Sequence, residues 1–165
     1  MSQTITHEWE KTLLARLPLF GHRNWIVVAD AAYPAHSGPG IETIYAGGDH
    51  VTVVEEVLRT IRASKHVQPV IYLDDELESL AEEDAPGITD YRCKIAELVN
   101  ARTVRTMAHE DLVCEVDKVG TLFRMLVIKT DMNLPYTSVF VQLDCGYWEP
   151  KKERRLRDSM KKSQP

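Results

Sequence analysis

The sequence predicts an α/β domain built as three layers, α/β/α, around a mostly parallel central sheet. Three observations carry that expectation. Short apolar runs rich in β-branched residues, at residues 25–29, 70–73 and 123–128, are too brief for helices and lack polar alternation. The first reads as a buried parallel strand, the second as another core strand and the third as a closing strand. Segments with helical apolar spacing lie between them, and alternating strands and helices build a sheet covered on both sides. The length, 165 residues, suits one domain with a substantial core and is short for two.

The elements follow in order. Residues 6–17 carry Trp9, Leu13, Leu14 and Leu17 on one helical face, with Thr6 placed to cap the start. The first strand occupies 25–29, between Gly21 and Pro34. A loop punctuated by Pro and Gly covers 33–40, and a short extended piece surrounds Ile44. Gly47, Gly48 and Asp49 break the chain before a helix in which Thr52 and Glu55 have capping-box spacing and Val54, Leu58 and Ile61 share a face. After the strand at 70–73, the acidic stretch reads as a surface loop or the start of a helix. Tyr91, Ile95, Leu98 and Val99 mark a helix over 89–99. Residues 103–107 form a strand, 109–119 a helix starting at its end, and 123–128 and 138–143 the closing strands. No internal repeat is present.

Charge divides the chain unevenly. Twenty basic and twenty-five acidic residues leave a net charge of −5, which does not suggest a nucleic-acid surface. Seven Lys or Arg and two acids fall in 151–165, while seven carboxylates crowd into 74–84. The single domain is therefore expected over 1–150 and a basic tail over 151–165. With only Leu156 and Met160 to bury, the tail reads as a solvated extension; the alternative is docking on the acidic stretch of a neighbouring subunit. Cys93, Cys114 and Cys145 are odd in number and without CxxC spacing, so free, buried thiols in a reducing compartment are expected. No targeting segment or long apolar run is present, which points to a soluble cytoplasmic protein away from membranes.

Several chemistries are excluded by their missing motifs. Gly38, Gly40, Gly47 and Gly48 spell neither a dinucleotide fingerprint nor a P-loop, and no G-x-S-x-G elbow exists. His109-Glu110 lacks the second His of a zinc protease, and the deaminase pattern is absent. Polar residues at strand ends remain: His22, Asp30, His36, His109 and Tyr136. His22, Asp30, His109 and Tyr136 each have a plain structural reading, as a loop histidine, a turn cap, a helix start and a half-buried aromatic. His22, Asp30, His36 and His109 lack paired ligand spacing, so no metal is expected. A sugar site accommodates all of them. Opening a pyranose ring needs one proton taken from the anomeric hydroxyl and one delivered to the ring oxygen. Histidine titrates where both are feasible, with no cofactor.

Gly21-His22, then Val27-Val28-Ala29-Asp30-Ala31 and Pro34, resembles the opening motif of the D-ribose pyranase and L-fucose mutarotase family (RbsD/FucU). Pro34-Ala35-His36-Ser37 is similar to the fucose branch, and Thr106-Met107-Ala108-His109-Glu110 to the ribose branch. Val127-Ile128-Lys129-Thr130 and Pro135-Tyr136 resemble the family's last two strands and the Pro-Tyr between them. The resemblance runs from about Leu13 to Gly146 and implies an RbsD-like fold and a cofactor-free monosaccharide mutarotase or pyranase. It implies His22 as proton donor, Asp30 as ligand of a sugar hydroxyl, and His109 as a sugar-binding residue able to share in proton transfer. Tyr136 and Ser138 would join Asp30 in positioning the sugar, with Ser138 standing where the family has an asparagine, a shorter group without the amide. Asp131-Met132 also replaces a Gly-acid pair, and features of both branches coexist, so the sugar is left open. Ring-like homodecamers with sites between subunits are implied, and Tyr147 and Trp148 suit an interface. Two other readings stand beside this one: a non-catalytic monosaccharide-binding or regulatory protein, and an enzyme acting on another small polar substrate.

Overall fold

The computed structural model describes residues 7–99 and 104–162. Six strands form one sheet: β1 (Trp25–Ala29), β2 (Ile41–Tyr45), β3 (Val67–Asp74), β4 (Val104–Met107), β5 (Met125–Lys129) and β6 (Val139–Cys145). Their order is β2-β5-β1-β6-β3-β4, and β6 alone runs antiparallel to its neighbours. Parallel neighbours need a long crossover, usually a helix, whereas the chain between β5 and β6 is short and returns from the same edge. β6 therefore starts where β1, β3, β4 and β5 end. This one reversal brings a second set of loop residues to the carboxyl edge of the sheet.

Five α-helices accompany the strands: α1 (Glu8–Arg16), α2 (His50–Ala63), α3 (Ile88–Leu98), α4 (His109–Leu122) and α5 (Pro150–Lys162). Trp9 and Leu13 of α1, Val54, Leu58 and Ile61 of α2, and Tyr91 and Ile95 of α3 pack on one sheet face with Ile26, Val28 and Val141. Leu112 and Val116 of α4 pack on the other face with Trp25, Val27 and Phe140. Adjacent residues of β1 thus enter different cores, which is why all five are buried. The expected three-layer architecture is the observed one.

Several local expectations are corrected. Leu14 is exposed, because the inward stripe of α1 is Trp9, Leu13 and the following Leu17. Thr6 lies outside the described residues, and His7 occupies the N-cap of α1. Helix α2 is capped by Asp49, whose carboxylate accepts from the Thr52 backbone N–H at 2.8 Å, so Thr52 sits inside the first turn. β3 begins three residues earlier than expected and runs through Pro69. Leu143, facing Pro69, directs both backbone groups to the β1 side, where Arg23 donates and Asn24 accepts. The ring nitrogen of Pro69 therefore points to the other side, where β4 pairs only from Ile71 onward, and no ladder bond is lost. The cysteines are free, but Cys93 and Cys114 are exposed on the outer faces of α3 and α4, not buried. The basic tail is helical over α5, and none of its residues is buried.

Candidate active site

Asp30 is the first residue beyond β1. Its Oδ1 accepts from the Ala32 N–H at 2.9 Å, the turn that Asp makes with backbone two residues on. Its Oδ2 accepts from the Ser138 hydroxyl at 2.8 Å, while its own N–H donates to Ser138 Oγ at 3.1 Å. Ser138 is only 1% exposed. It grips Asp30 and turns away from solvent, and Asp30 is left half-buried with lone pairs to spare for a ligand's hydroxyl.

Beyond β6 from Asp30, at the end of β3, lies Asp74, with a fully buried side chain. The two strands flank β6, so the two residues stand about 10 Å apart. β3 and β4 pair with Asp74 opposite Met107, which puts His109, the first residue of α4, beside Asp74. His109 Nδ1 lies 3.1 Å from Asp74 Oδ1. The His109 backbone N–H donates to both carboxylate oxygens of Glu76, at 3.1 and 3.2 Å, so Glu76 satisfies a free donor in the first turn of α4. Tyr136 meets the His109 ring edge-on, with centroids 5.3 Å apart, and holds its backbone at φ 57°, a region uncommon outside glycine. Burial pushes the Asp74 carboxyl up to about 6. The adjacent His109 opposes that rise, and Glu76 and Asp30 add to it. Asp74 Oδ2 is buried without a partner among the described residues.

His50, at the start of α2, backs this region. It is buried, with Nδ1 2.9 Å from Thr130 Oγ1, and the Thr130 hydroxyl donates to the Ala29 carbonyl just before Asp30. Burial pulls His50 down to about 4, so it is neutral and structural at physiological pH.

The structure brings Asp30, Ser138, Tyr136 and His109 to one edge and places His22 at the other. His22 is the exposed corner of a turn in which Asn24 N–H donates to Gly21 O at 3.1 Å and Arg23 adopts φ 75°. Asn24 braces the turn, accepting from Gly21 N–H and donating to Arg124 O at 2.9 Å. The whole of β1, five residues spanning roughly 16 Å at about 3.3 Å per residue, lies between the turn of His22 and Asp30. His36 joins neither group. Its Nε2 lies 3.3 Å from the Tyr33 hydroxyl and its Nδ1 3.3 Å from Asp117 of α4, tying the loop after β1 to that helix. A separate cleft of about 370 Å³ between α1 and α2 offers less, because three of its four carboxylates are engaged. Glu10 and Asp49 bind backbone at helix starts, and Glu56 pairs with Arg59. Among the described residues no group of three or more His, Cys, Asp and Glu could hold a metal ion, and no helix is long and apolar enough to cross a membrane.

The family model described as the RbsD / FucU transport protein family matches residues 4–146. The chain belongs to the RbsD/FucU family. Among solved structures it is similar to Bacillus subtilis RbsD complexed with D-ribose, at 17% identity and TM-score 0.56, covering 87% of this chain and 97% of that one. It is also similar to the fucose mutarotase of Streptococcus pneumoniae in complex with L-fucose, at 19% identity and TM-score 0.53, covering 85% and 93%. FucU of Bifidobacterium longum follows at 18% identity and TM-score 0.54, covering 81% and 94%. At such identities these likenesses establish the fold. No protein of curated function matches.

Within this RbsD/FucU domain, Asp74 and Glu76 join the candidate residues only through the fold. One signal for Asp74 was present: like Asp30, it directly follows an apolar strand. The six further carboxylates that come after it concealed that position.

Proposed function

We propose that the chain is a cofactor-free monosaccharide mutarotase or pyranase. The observation that carries this reading is Asp30, held as a fixed hydrogen-bond acceptor by Ser138 and Ala32 on the same sheet edge as the edge-to-face pair His109–Tyr136. Membership of the RbsD/FucU family supports it. Asp30 accepts a sugar hydroxyl, the Tyr136 ring lies against the sugar's apolar edge, and Ser138 acts by keeping Asp30 in place. Proton exchange falls to His109 and His22. One imidazole takes the anomeric hydroxyl proton as the bond from the anomeric carbon to the ring oxygen breaks. The other protonates that oxygen, and reclosure on the opposite face completes the exchange. Because His22 stands at the far edge of its own protomer, it serves the site of an adjoining copy.

That separation also favours a second reading, in which the carboxyl edge binds a monosaccharide without turning it over. Saturation-transfer NMR with a panel of aldopyranoses separates the two, since it reads binding and anomer exchange together. The expected result is exchange on at least one sugar. His22→Ala should lower it by about 10² to 10⁴. Asp30→Asn should weaken binding more than it slows the chemical step. Wild-type exchange in His22→Ala on every sugar that binds would replace the mutarotase reading with the binding one. Failure of every sugar to bind would remove both.

A further inference from the structure

Asp74 is a carboxylate with nothing but an imidazole to justify its burial. Its side chain is wholly inaccessible, its Oδ1 meets His109 Nδ1, and its Oδ2 has no partner among the described residues. Buried ion pairs that serve stability satisfy the remaining lone pairs as well, because an unmatched buried charge is costly. This one does not, so its use must be sought in what it does to His109.

We infer that Asp74 is a positioning residue that accepts the His109 Nδ1 proton and thereby fixes the tautomer in which Nε2 is the nitrogen open to substrate. The inference rests on the reading of His109 as a proton-exchange group. Three contacts determine the ring's placement. The register of β3 and β4 brings Asp74 beside His109, Glu76 from the turn after β3 holds the His109 backbone N–H, and Tyr136 stands against the ring edge-on. One short segment, 74–76, therefore clamps both the ring and the main chain of His109. Among the described residues Nε2 has no hydrogen-bond partner, and the side chain is 32% exposed, so this nitrogen is the accessible one.

The consequence is a division of labour between two atoms of one ring. With Nδ1–H donated to Asp74, a neutral His109 carries its lone pair on Nε2, where it can take the anomeric proton. The imidazolium so formed keeps both protons and is stabilised by the Asp74 carboxylate, which takes no proton itself. The titratable groups around the pair are Glu76 from the turn, Asp30 beyond β1, the hydroxyls of Tyr33 and Tyr91, and Tyr136. Glu76 and Asp30 favour protonation of Asp74, and His109 resists it. Below pH about 6 Asp74 gains a proton and its hold on Nδ1–H weakens.

The test uses the full-length protein and long-range proton–nitrogen NMR of its imidazoles. Wild-type His109 should show a protonated Nδ1 and a bare Nε2 at pH 8. In Asp74→Asn the amide can turn its NH₂ toward Nδ1, so His109 should shift toward the Nε2–H tautomer. On a sugar that the wild type interconverts, kcat should then fall by about tenfold or more with KM nearly unchanged. A second variant, His109→Gln, should raise the carboxyl midpoint of Asp74 above about 6, since it removes the positive charge that helps to hold it down. A bare Nδ1 in wild type overturns the inference. So does an Asp74→Asn variant with an unchanged tautomer and kcat. Should Asp74→Asn fail to fold, the wild-type tautomer and the Asp74 midpoint in His109→Gln decide the matter. If the tautomer is as expected but no sugar binds or exchanges, the functional reading fails and the pairing of Asp74 with Nδ1–H stands.

Discussion

Two buried ionisable side chains, Asp74 under His109 and His50 under Thr130, give opposite pH dependences to the stability of the fold. The Asp74 carboxyl is raised from 3.8 to about 6, so its favourable contribution is complete below pH 3.8 and is lost as pH rises through 6. His50 is lowered from 6.5 to about 4, so its contribution is complete above pH 6.5 and is lost as pH falls toward 4. At 1.36 kcal/mol per unit each amounts to roughly 3 kcal/mol, and over the shared window they nearly cancel. Asp74→Asn removes one slope and leaves the other. Urea unfolding should find this variant more stable than wild type at pH 8, by up to about 3 kcal/mol less the weakened bond to His109. Near pH 4.5 most of that advantage should be gone. An advantage of equal size at both pH values would show that Asp74 is ionised alike in the folded and unfolded chain. A gain in stability joined to a loss of exchange is the trade expected of a residue kept for function.

Helix α4 carries His109, and its placement depends on a close approach to β2. A Cβ on Gly40 would meet backbone, the carbonyl of Gly120 and, at 2.8 Å, that of Phe123. A Cβ on Gly120 would meet only the Ile41 side chain, at 2.5 and 2.7 Å. Backbone cannot yield without moving the helix, whereas Ile41 can change rotamer. Gly40→Ala should therefore destabilise by about 3 kcal/mol and Gly120→Ala by about 1 kcal/mol, read as thermal midpoints. The reverse order would mean that α4 slides freely over β2. The same element logic explains the capping of α2: Asp49 follows two glycines at φ 66° and 65°, a turn that delivers its carboxylate to the Thr52 N–H. Spacing of Thr52 and Glu55 alone could not reveal that an earlier residue takes the cap.

At the scale of the whole molecule, the candidate residues stand at two opposite edges of the sheet. His22 stands at the amino edge on a braced turn, and Asp30, Ser138, Tyr136 and His109 at the carboxyl edge. Contact of one copy's amino edge with the next copy's carboxyl edge is head-to-tail, the kind that closes into rings. Co-expressed His22→Ala and Asp30→Asn chains should then regain about a quarter of wild-type exchange, because a random ring contains sites flanked by one intact edge from each parent. No recovery in mixed rings would place both residues in one protomer's site. Helix α5 lies outside the family match and buries none of its residues. Truncation after Pro150 should leave the melting temperature and the assembly size by light scattering unchanged at physiological salt. Dissociation would make α5 part of the interface, where exposed Leu156 and Met160 are the apolar groups to test first.

Local signals were legible in the sequence because they are written in neighbouring residues. The apolar run of β1 has the predicted bounds, and the periodic faces of α2 and α3 are the buried ones. The motifs at Asp30, His109 and Tyr136 were visible as polar residues at strand ends. Side-chain direction at Leu14, Cys93 and Cys114 was not, since a helix's inward stripe is chosen by the layer it meets. Nor was the role of Asp74, one carboxylate among seven, which the pairing of β3 with β4 selects by setting it opposite Met107. The same holds for Ser138, which the reversed strand β6 carries to Asp30 from 108 residues away. Sequence determined the elements, and the buried faces of α2 and α3, through short-range periodicity. The tertiary structure decided which strand ends meet, because strand order and register are set by packing between segments distant in the chain.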